Sequence, residues 1–306
     1  MPRDSKSATR SVVVALALAL PTGVLAQETP IVTPHASPAL PAPKAADVLD
    51  KATDFLAAAL FQTDKPADPS AALAAATVAI QNAIAALGER YDATARLSAA
   101  LQDVLAAPTP ADALALVRDR VRPVHADLAF RPTIEAPIPP GWPAFTPINE
   151  IEIKSYPTYR VAFTTKKPML FKESRNFWTL FNHISSRNIP MTAPVEMPLI
   201  VASQGEISED GMGFLYPDMN TGKLGQADDG AVTVVDVAPI TVVNIGVRGK
   251  SSDARIAKAH EKLVVWLAAN KDRYVAAGNP RVMGWNGPST SDRDAYTEVQ
   301  IPIKPR

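Results

Sequence analysis

The chain has 306 residues, and its 31 Lys and Arg balance its 31 Asp and Glu. That balance gives no electrostatic case for nucleic-acid binding. The absence of cysteine excludes disulfides, thiolate metal sites and a thiol nucleophile, and the length suffices for two modest domains.

The first residues read as an export address. Arg3, Lys6 and Arg10 form a basic start, and Ser11 to Leu20 is an apolar run of signal-peptide length. It is shorter than the roughly 20 residues that cross a bilayer. Pro21 and Gly23 break it, and Val24-Leu25-Ala26 is a small-x-small cleavage pattern. Residues 1–26 are therefore expected to be removed, leaving a periplasmic or secreted protein with no transmembrane anchor.

Residues 27–43, rich in Pro, Ala and Thr, read as a flexible linker. Residues 44–128 differ. Val48, Ala52, Phe55, Leu56 and Ala59 recur at helical spacing, as do Leu73, Ala76, Ile80 and Ile84, then Leu97, Leu101 and Val104. Thr109-Pro110 suits a helix start, and Pro123 is expected to end that last helix. The stretch predicts a small all-α bundle of three or four helices, a structural part or a docking part for a protein partner.

Residues 129–147 form a second, Pro-rich segment that predicts an extended linker. Residues 148–306 then alternate in strand fashion. Ile151 and Ile153 alternate with charged neighbours, and Tyr159 to Phe163 gives a second strand. Glu173 to Arg187 is an amphipathic helix. Further strands are expected at 193–199, 213–216, 231–237, 241–247, 283–286 and 296–303, with a helix from Ser251 or Ser252 to about Ala277. The pattern is strand, strand, helix, strand, strand, given twice, which predicts an α+β domain whose sheet carries two helices.

Ile189-Pro190-Met191-Thr192-Ala193-Pro194-Val195 resembles the MTAPV signature of the SOUL family of heme-binding proteins. Three further matches follow the family order. They are Glu152-Ile153-Lys154-Ser155-Tyr156-Pro157, the helix core from Phe177 to Ile184, and Trp285 with Thr297-Glu298-Val299. The resemblance spans about residues 148 to 304. It implies a distorted antiparallel β-barrel of about eight strands with two helices, and non-covalent binding of heme or a related tetrapyrrole. His183 stands where the family commonly has Tyr, and the stretch between Asn188 and the signature is short.

Heme iron takes His, Met, Cys or Tyr ligands, or none where packing holds the ring. His35 and His125 fall in or beside Pro-rich segments. His260 lies on the apolar stripe of its helix, which reads as a core histidine. His183 lies on the flank of its helix, open to a surface-bound ring, and is the candidate iron ligand. Its plainer alternative is a solvated polar position. Met191 could supply a thioether, or simply pack. Phe177 could contact the ring, and Arg175, Arg187 and Lys172 could pair with propionates. No Gly-x-Ser-x-Gly, His-Glu-x-x-His or phosphate-cradling glycine loop occurs, so no enzyme is expected. A module for another apolar ligand and a protein-interaction role remain the other readings.

Overall fold

Alanine and leucine at helical spacing fold residues 42–129 into a bundle in the computed structural model, which describes residues 42–164, 172–202, 207–227 and 230–306. The export signal and nearly all of the first linker lie outside those residues. Helix α1 (Ala42–Phe61) packs on α2 (Pro69–Leu87), followed by α3 (Asp92–Leu105) and α4 (Pro110–Leu116). Asp68 caps α2 by accepting from the amides of Ser70 (2.9 Å) and Ala71 (3.1 Å), with Pro69 in the first turn. Thr109 caps α4 in the same way. Leu56, Ile80, Leu97, Val117 and Leu128 meet in the bundle core. By length and composition Pro69–Arg90 could cross a bilayer. Yet α2 turns Ala72, Ala76, Ile80, Ala83 and Leu87 into that core, as a core helix of a bundle does.

Pro123 does not end the helix, contrary to the expectation from sequence. A π turn over Val117–Val121 widens the helix, and α5 (Arg122–Ala129) restarts with Pro123 in its first turn. There the missing amide hydrogen is not needed. His125, assigned from sequence to the edge of a linker, consequently lies within α5, and burial lowers its imidazole pKa.

The second half of the chain forms one open antiparallel sheet bent into a distorted barrel. Its strands are β1 (Ile151–Tyr156), β2 (Tyr159–Thr164), β3 (Val195–Val201), β4 (Ile207–Glu209), β5 (Met212–Leu215) and β6 (Gly225–Gln226). They continue with β7 (Thr233–Val237), β8 (Ile240–Arg248), β9 (Tyr274–Ala276), β10 (Arg281–Gly284) and β11 (Tyr296–Pro305). The order is β1-β8-β11-β10-β3-β5-β2-β7-β6, with β4 beside β3 and β9 beside β11. This gives 11 strands among the described residues, against the eight or so implied by resemblance. The added ones are short edge pieces such as β4, β6 and β9.

Helices α6 (Lys172–Ser185) and α7 (Asp253–Ala269) cover one face of the sheet. Leu180 and Ile184 of α6 and Leu263 of α7 share there one apolar cluster with Val299, Ile301 and Ile303 of β11. Helix α7 stops at Ala269, earlier than its apolar pattern suggests. Asn270 closes it, and Tyr274 stacks on Trp266 (5.8 Å between rings) while its strand joins β11.

The other face of β11 is polar. Tyr296, Glu298 and Gln300 alternate with the apolar set, as strand geometry requires. Glu298, fully buried, accepts from Lys154 Nζ (2.5 Å), the Thr146 amide (3.1 Å) and the Tyr296 hydroxyl (2.9 Å). Beside it Arg281 donates to Glu196 (3.1 Å) and to the Tyr159 hydroxyl (2.6 Å), which donates in turn to Glu196 (2.8 Å). Burial, with the Glu298 carboxylate next, pushes the Tyr296 hydroxyl well above its usual pKa.

This face is closed by residues 130–147, the segment expected to be a free linker. Its prolines do hold it extended, but Phe130, Ile138, Trp142 and Phe145 pack against the sheet. Trp142 sets its indole edge-on to Tyr156 (4.7 Å) and Tyr159 (5.1 Å). Asn244 donates to Thr146 Oγ1 (2.6 Å), and the one proton of the Tyr296 hydroxyl is shared between Glu298 and the Thr146 carbonyl (2.6 Å). Gly246 allows this closeness, because a Cβ there would overlap the carbonyl oxygens of Thr146 and Pro147. The strap therefore belongs to the sheet as one of its layers.

The strap's end also holds the bundle. Helix α3 starts at Asp92 without a side-chain cap of its own. Glu150, buried, accepts from the amides of Asp92 (2.5 Å) and Ala93 (3.0 Å) and does the capping from 57 residues away. Residues 41–306 accordingly form one compact unit.

Two predictions follow from these contacts. Lys154→Met strands the Glu298 carboxylate, so urea denaturation should show a loss of about 3–5 kcal/mol. Burial, and then the Asp92 carboxylate, push the Glu150 pKa up to about 7 from its ordinary value of 4.5. A raised acid favours folding while protonated. Its contribution is full below about pH 4.5 and lost as pH rises through 7. Glu150→Gln mimics the neutral form. Wild type should therefore lose about 2–3 kcal/mol relative to this variant between pH 4.5 and pH 8.5, read by denaturation at both pH values.

Candidate functional site

The sheet opens at one end, and the sequence closes that end with apolar groups from separate segments. Helix α6 is amphipathic. With Leu180 and Ile184 in the core, the same stripe carries Phe177 outward to the sheet's end, where it meets Phe214 edge-on at 5.3 Å. Phe177 also stacks on Phe181 at 6.0 Å, and Trp178 beside them is 56% exposed.

The chain then enters β3 through Met191-Thr192-Ala193-Pro194. Thr192 donates to the Leu215 carbonyl (2.6 Å), and the Ala193 amide donates to the Pro137 carbonyl of the strap (3.0 Å). The Ala193–Pro194 peptide is cis. The two hydrogen bonds fix the segment so that Met191 and Val195 line the opening. Across from it, Gly284 leaves room for Met197, whose Cε would sit 3.1 Å from a Cβ there. Trp285 follows, nearly fully buried and edge-on to Phe145 at 4.5 Å.

The result is a cavity of about 600 Å³, within the range of small-molecule sites. Phe177, Trp178 and Trp285 supply aromatic walls, and Met191, Met197 and Met212 supply three thioethers. Its rim carries Lys250, which donates to the Pro288 carbonyl (2.7 Å), and Glu135 of the strap. Glu135 accepts from Thr290 Oγ1 and from the Gly287 amide (2.6 Å). The Thr290 bond first, and the Gly287 amide next, hold its carboxyl below the usual range. The Trp285 indole Nε1 is buried and has no hydrogen-bond partner among the described residues.

Of the residues singled out from sequence, Phe177 and Met191 line this cavity. Arg175 and Arg187 do not. Both are exposed on α6 or just beyond it, and Arg187 Nη1 donates to the His183 carbonyl (3.3 Å) at the helix end. Lys172 begins α6, and its side chain lies outside the described residues.

His183 departs from the expectation of an accessible flank. It is 5% exposed, faces inward beside Ile184, and shares a hydrogen bond between its Nε2 and the Tyr216 hydroxyl (2.9 Å). The sheet curls around α6 far enough to cover the helix flank, which helical periodicity alone does not show. His260 is half-buried, and burial lowers its imidazole pKa.

Met197, Met212, Lys250 and Glu135 are the site residues that sequence reasoning missed. Met197 could have been found, since it follows Met191 and Val195 on the strand that the signature enters. Glu135 carries no such signal, because only the folded strap brings it to the rim.

The arrangement defines an α+β binding domain with an apolar, aromatic end cavity and a sparse polar rim. The sequence model of the SOUL heme-binding protein family matches residues 142–302, over half of the chain. The chain belongs to the SOUL family. No curated protein matches it.

Similar solved structures include EcmrR in a complex with DNA, at 15% identity and a TM-score of 0.40, covering 50% of this chain and 57% of that one. A hydrolase from Listeria innocua gives 10% and 0.38, covering 52% and 94%. SAV2435 bound to tetraphenylphosphonium gives 14% and 0.32, covering 51% and 98%.

His183→Ala leaves the buried Tyr216 hydroxyl without its partner. It should cost about 1–3 kcal/mol in thermal or urea denaturation, with Tyr216→Phe costing less because it removes the stranded group as well.

Proposed function

We propose that the protein is an exported binder of heme or a related tetrapyrrole, held non-covalently in the cavity at the sheet's end, with a role in heme handling. The observation that carries this reading is the cavity itself. Its walls are aromatic rings and thioethers, and they are built on the same Met191–Val195 phrase that carries the family signature.

The residues fit such a group. Aromatic side chains suit a flat apolar ring, and methionine adapts to its outline. Lys250, on the rim, would meet a propionate, the part assigned from sequence to Arg175 and Arg187. Met191 would reach the iron in place of His183, which Tyr216 and the sheet hold away from the cavity. When bound, heme supplies an iron centre that takes axial ligands and exchanges electrons. This chain's own residues exclude water from the ring and orient it.

Hemin titration of the full chain tests the reading. Saturable one-to-one binding with a shifted Soret band is expected, at micromolar Kd or tighter. Met191→Ala should alter the band or weaken binding at least about tenfold, whereas His183→Ala should leave the band position unchanged. No Soret shift, or a band that follows His183 instead, would overturn the assignment.

The cavity holds no histidine among its lining residues, which favours a second reading of a module for iron-free apolar ligands. Protoporphyrin without iron separates the two: under that reading it binds as well as hemin. Export is checked by sequencing the mature protein, which should begin at Gln27.

A further inference from the structure

A second concavity lies where the bundle meets the sheet domain, outside the cavity described above. Asp92 and Arg96 of α3 form one side, Asn149 and Ile151 the floor, and α7 the other side. Its volume is about 750 Å³. The family match begins at residue 142, so one wall comes from a part of the chain that the family does not include.

The groove is polar at one end and apolar at the other. Lys258 is exposed, with no ion pair or hydrogen bond among the described residues. One turn on, Lys262 Nζ donates to a neutral acceptor, Asn149 Oδ1 (3.0 Å). Arg96 spends Nη2 on Asp127 (2.7 Å), while its Nη1 is buried without a partner among the described residues. These cations strain one another. Burial first, then Lys258 and Arg96, hold the Lys262 pKa below its usual value. Asp92 and Glu261 line the groove too, yet neither forms an ion pair with the lysines among the described residues. Further along α7 the lining becomes Val265, which is 64% exposed, then Trp266 and Ala269. From Lys258 to Ala269 the helix rises about 16 Å.

We propose that this groove binds an amphiphilic carboxylate. Its anionic head would lie among Lys258, Lys262 and Arg96, and its unbranched apolar tail would run along Val265, Trp266 and Ala269. Lys258 and Lys262 form no ion pair among the described residues, and their ammonium groups fit a carboxylate. The apolar half of the groove gives a tail its reason to bind. The site is independent of tetrapyrrole binding at the sheet's end.

Calorimetric titration of the full chain with sodium dodecanoate, below its micellar range, tests this. Saturable one-to-one binding is expected. Dodecan-1-ol, which keeps the tail, and acetate, which keeps the head, should each bind at least about tenfold more weakly. Lys258→Glu reverses an exposed charge and should cost at least about tenfold in affinity with an unchanged circular dichroism spectrum. Met191→Ala, in the other cavity, should leave dodecanoate binding as it is. Unsaturable binding, equal affinity for the alcohol, or a loss that follows Met191 rather than Lys258 would overturn the proposal.

Discussion

The Glu298 carboxylate has no exposure to solvent, and a buried anion is tolerated only where several donors converge on it. Lys154 comes from β1, Tyr296 from β11 itself, and the Thr146 amide from the strap. Lys154 and Thr146 lie 144 and 152 residues from Glu298 in the chain, so the charge is satisfied only when β1, β11 and the strap are assembled together. Much of the remaining architecture hangs from that condition. The strap, once seated, brings Pro137 to Ala193 and Glu135 to the cavity rim. It also brings Glu150 to the bare start of α3. A single unsolvated oxygen thus ties together the closed face of the sheet, the wall of the ligand cavity and the attachment of the bundle.

The parts of this structure readable in the sequence are those governed by short-range period. Alternation picked out β1 and β2, and the 3.6-residue pattern picked out α6 and the bundle helices. Thr109, and Ser251 or Ser252, marked helix starts, and the structure caps them with Thr109 and Ser252. What escaped depends on partners distant in the chain. The π turn at Val117–Val121 lets a helix pass Pro123, although local rules end it there. The Pro-rich segment has the composition of a linker, and its prolines do hold it extended. Its role comes from Trp142, Phe145 and Thr146 meeting strands that follow much later.

The site divides in the same way. Phe177 lies in the cavity because its helix has an evident apolar stripe, and Met191 because it sits in the apolar phrase that leads into β3. Arg175 and Arg187 were paired with them only by nearness in sequence, and both are exposed outside the cavity lining. His183 is the instructive case. Its angle on the helix wheel was read correctly as off the centre of the apolar stripe, yet it is buried. A curved sheet covers a wider arc of helix than a flat one does, and Tyr216 rises on that curve to meet the imidazole. Helical angle gives direction, and only the shape of the opposing layer decides whether that direction leads to water.

The closeness of Thr146 to Gly246 bears on how this domain can be moved between proteins. A unit cut just before Ile148 would retain every long strand. It would also leave Glu298 without its strap donor, Trp285 without Phe145, and a bare glycine where two carbonyls had lain. The heritable module is therefore the sheet together with its strap. Recombination that respects this protein's physics would break the chain before Phe130, and insertions would be tolerated at the strap's exposed turn around Gly141 far better than at its anchored end.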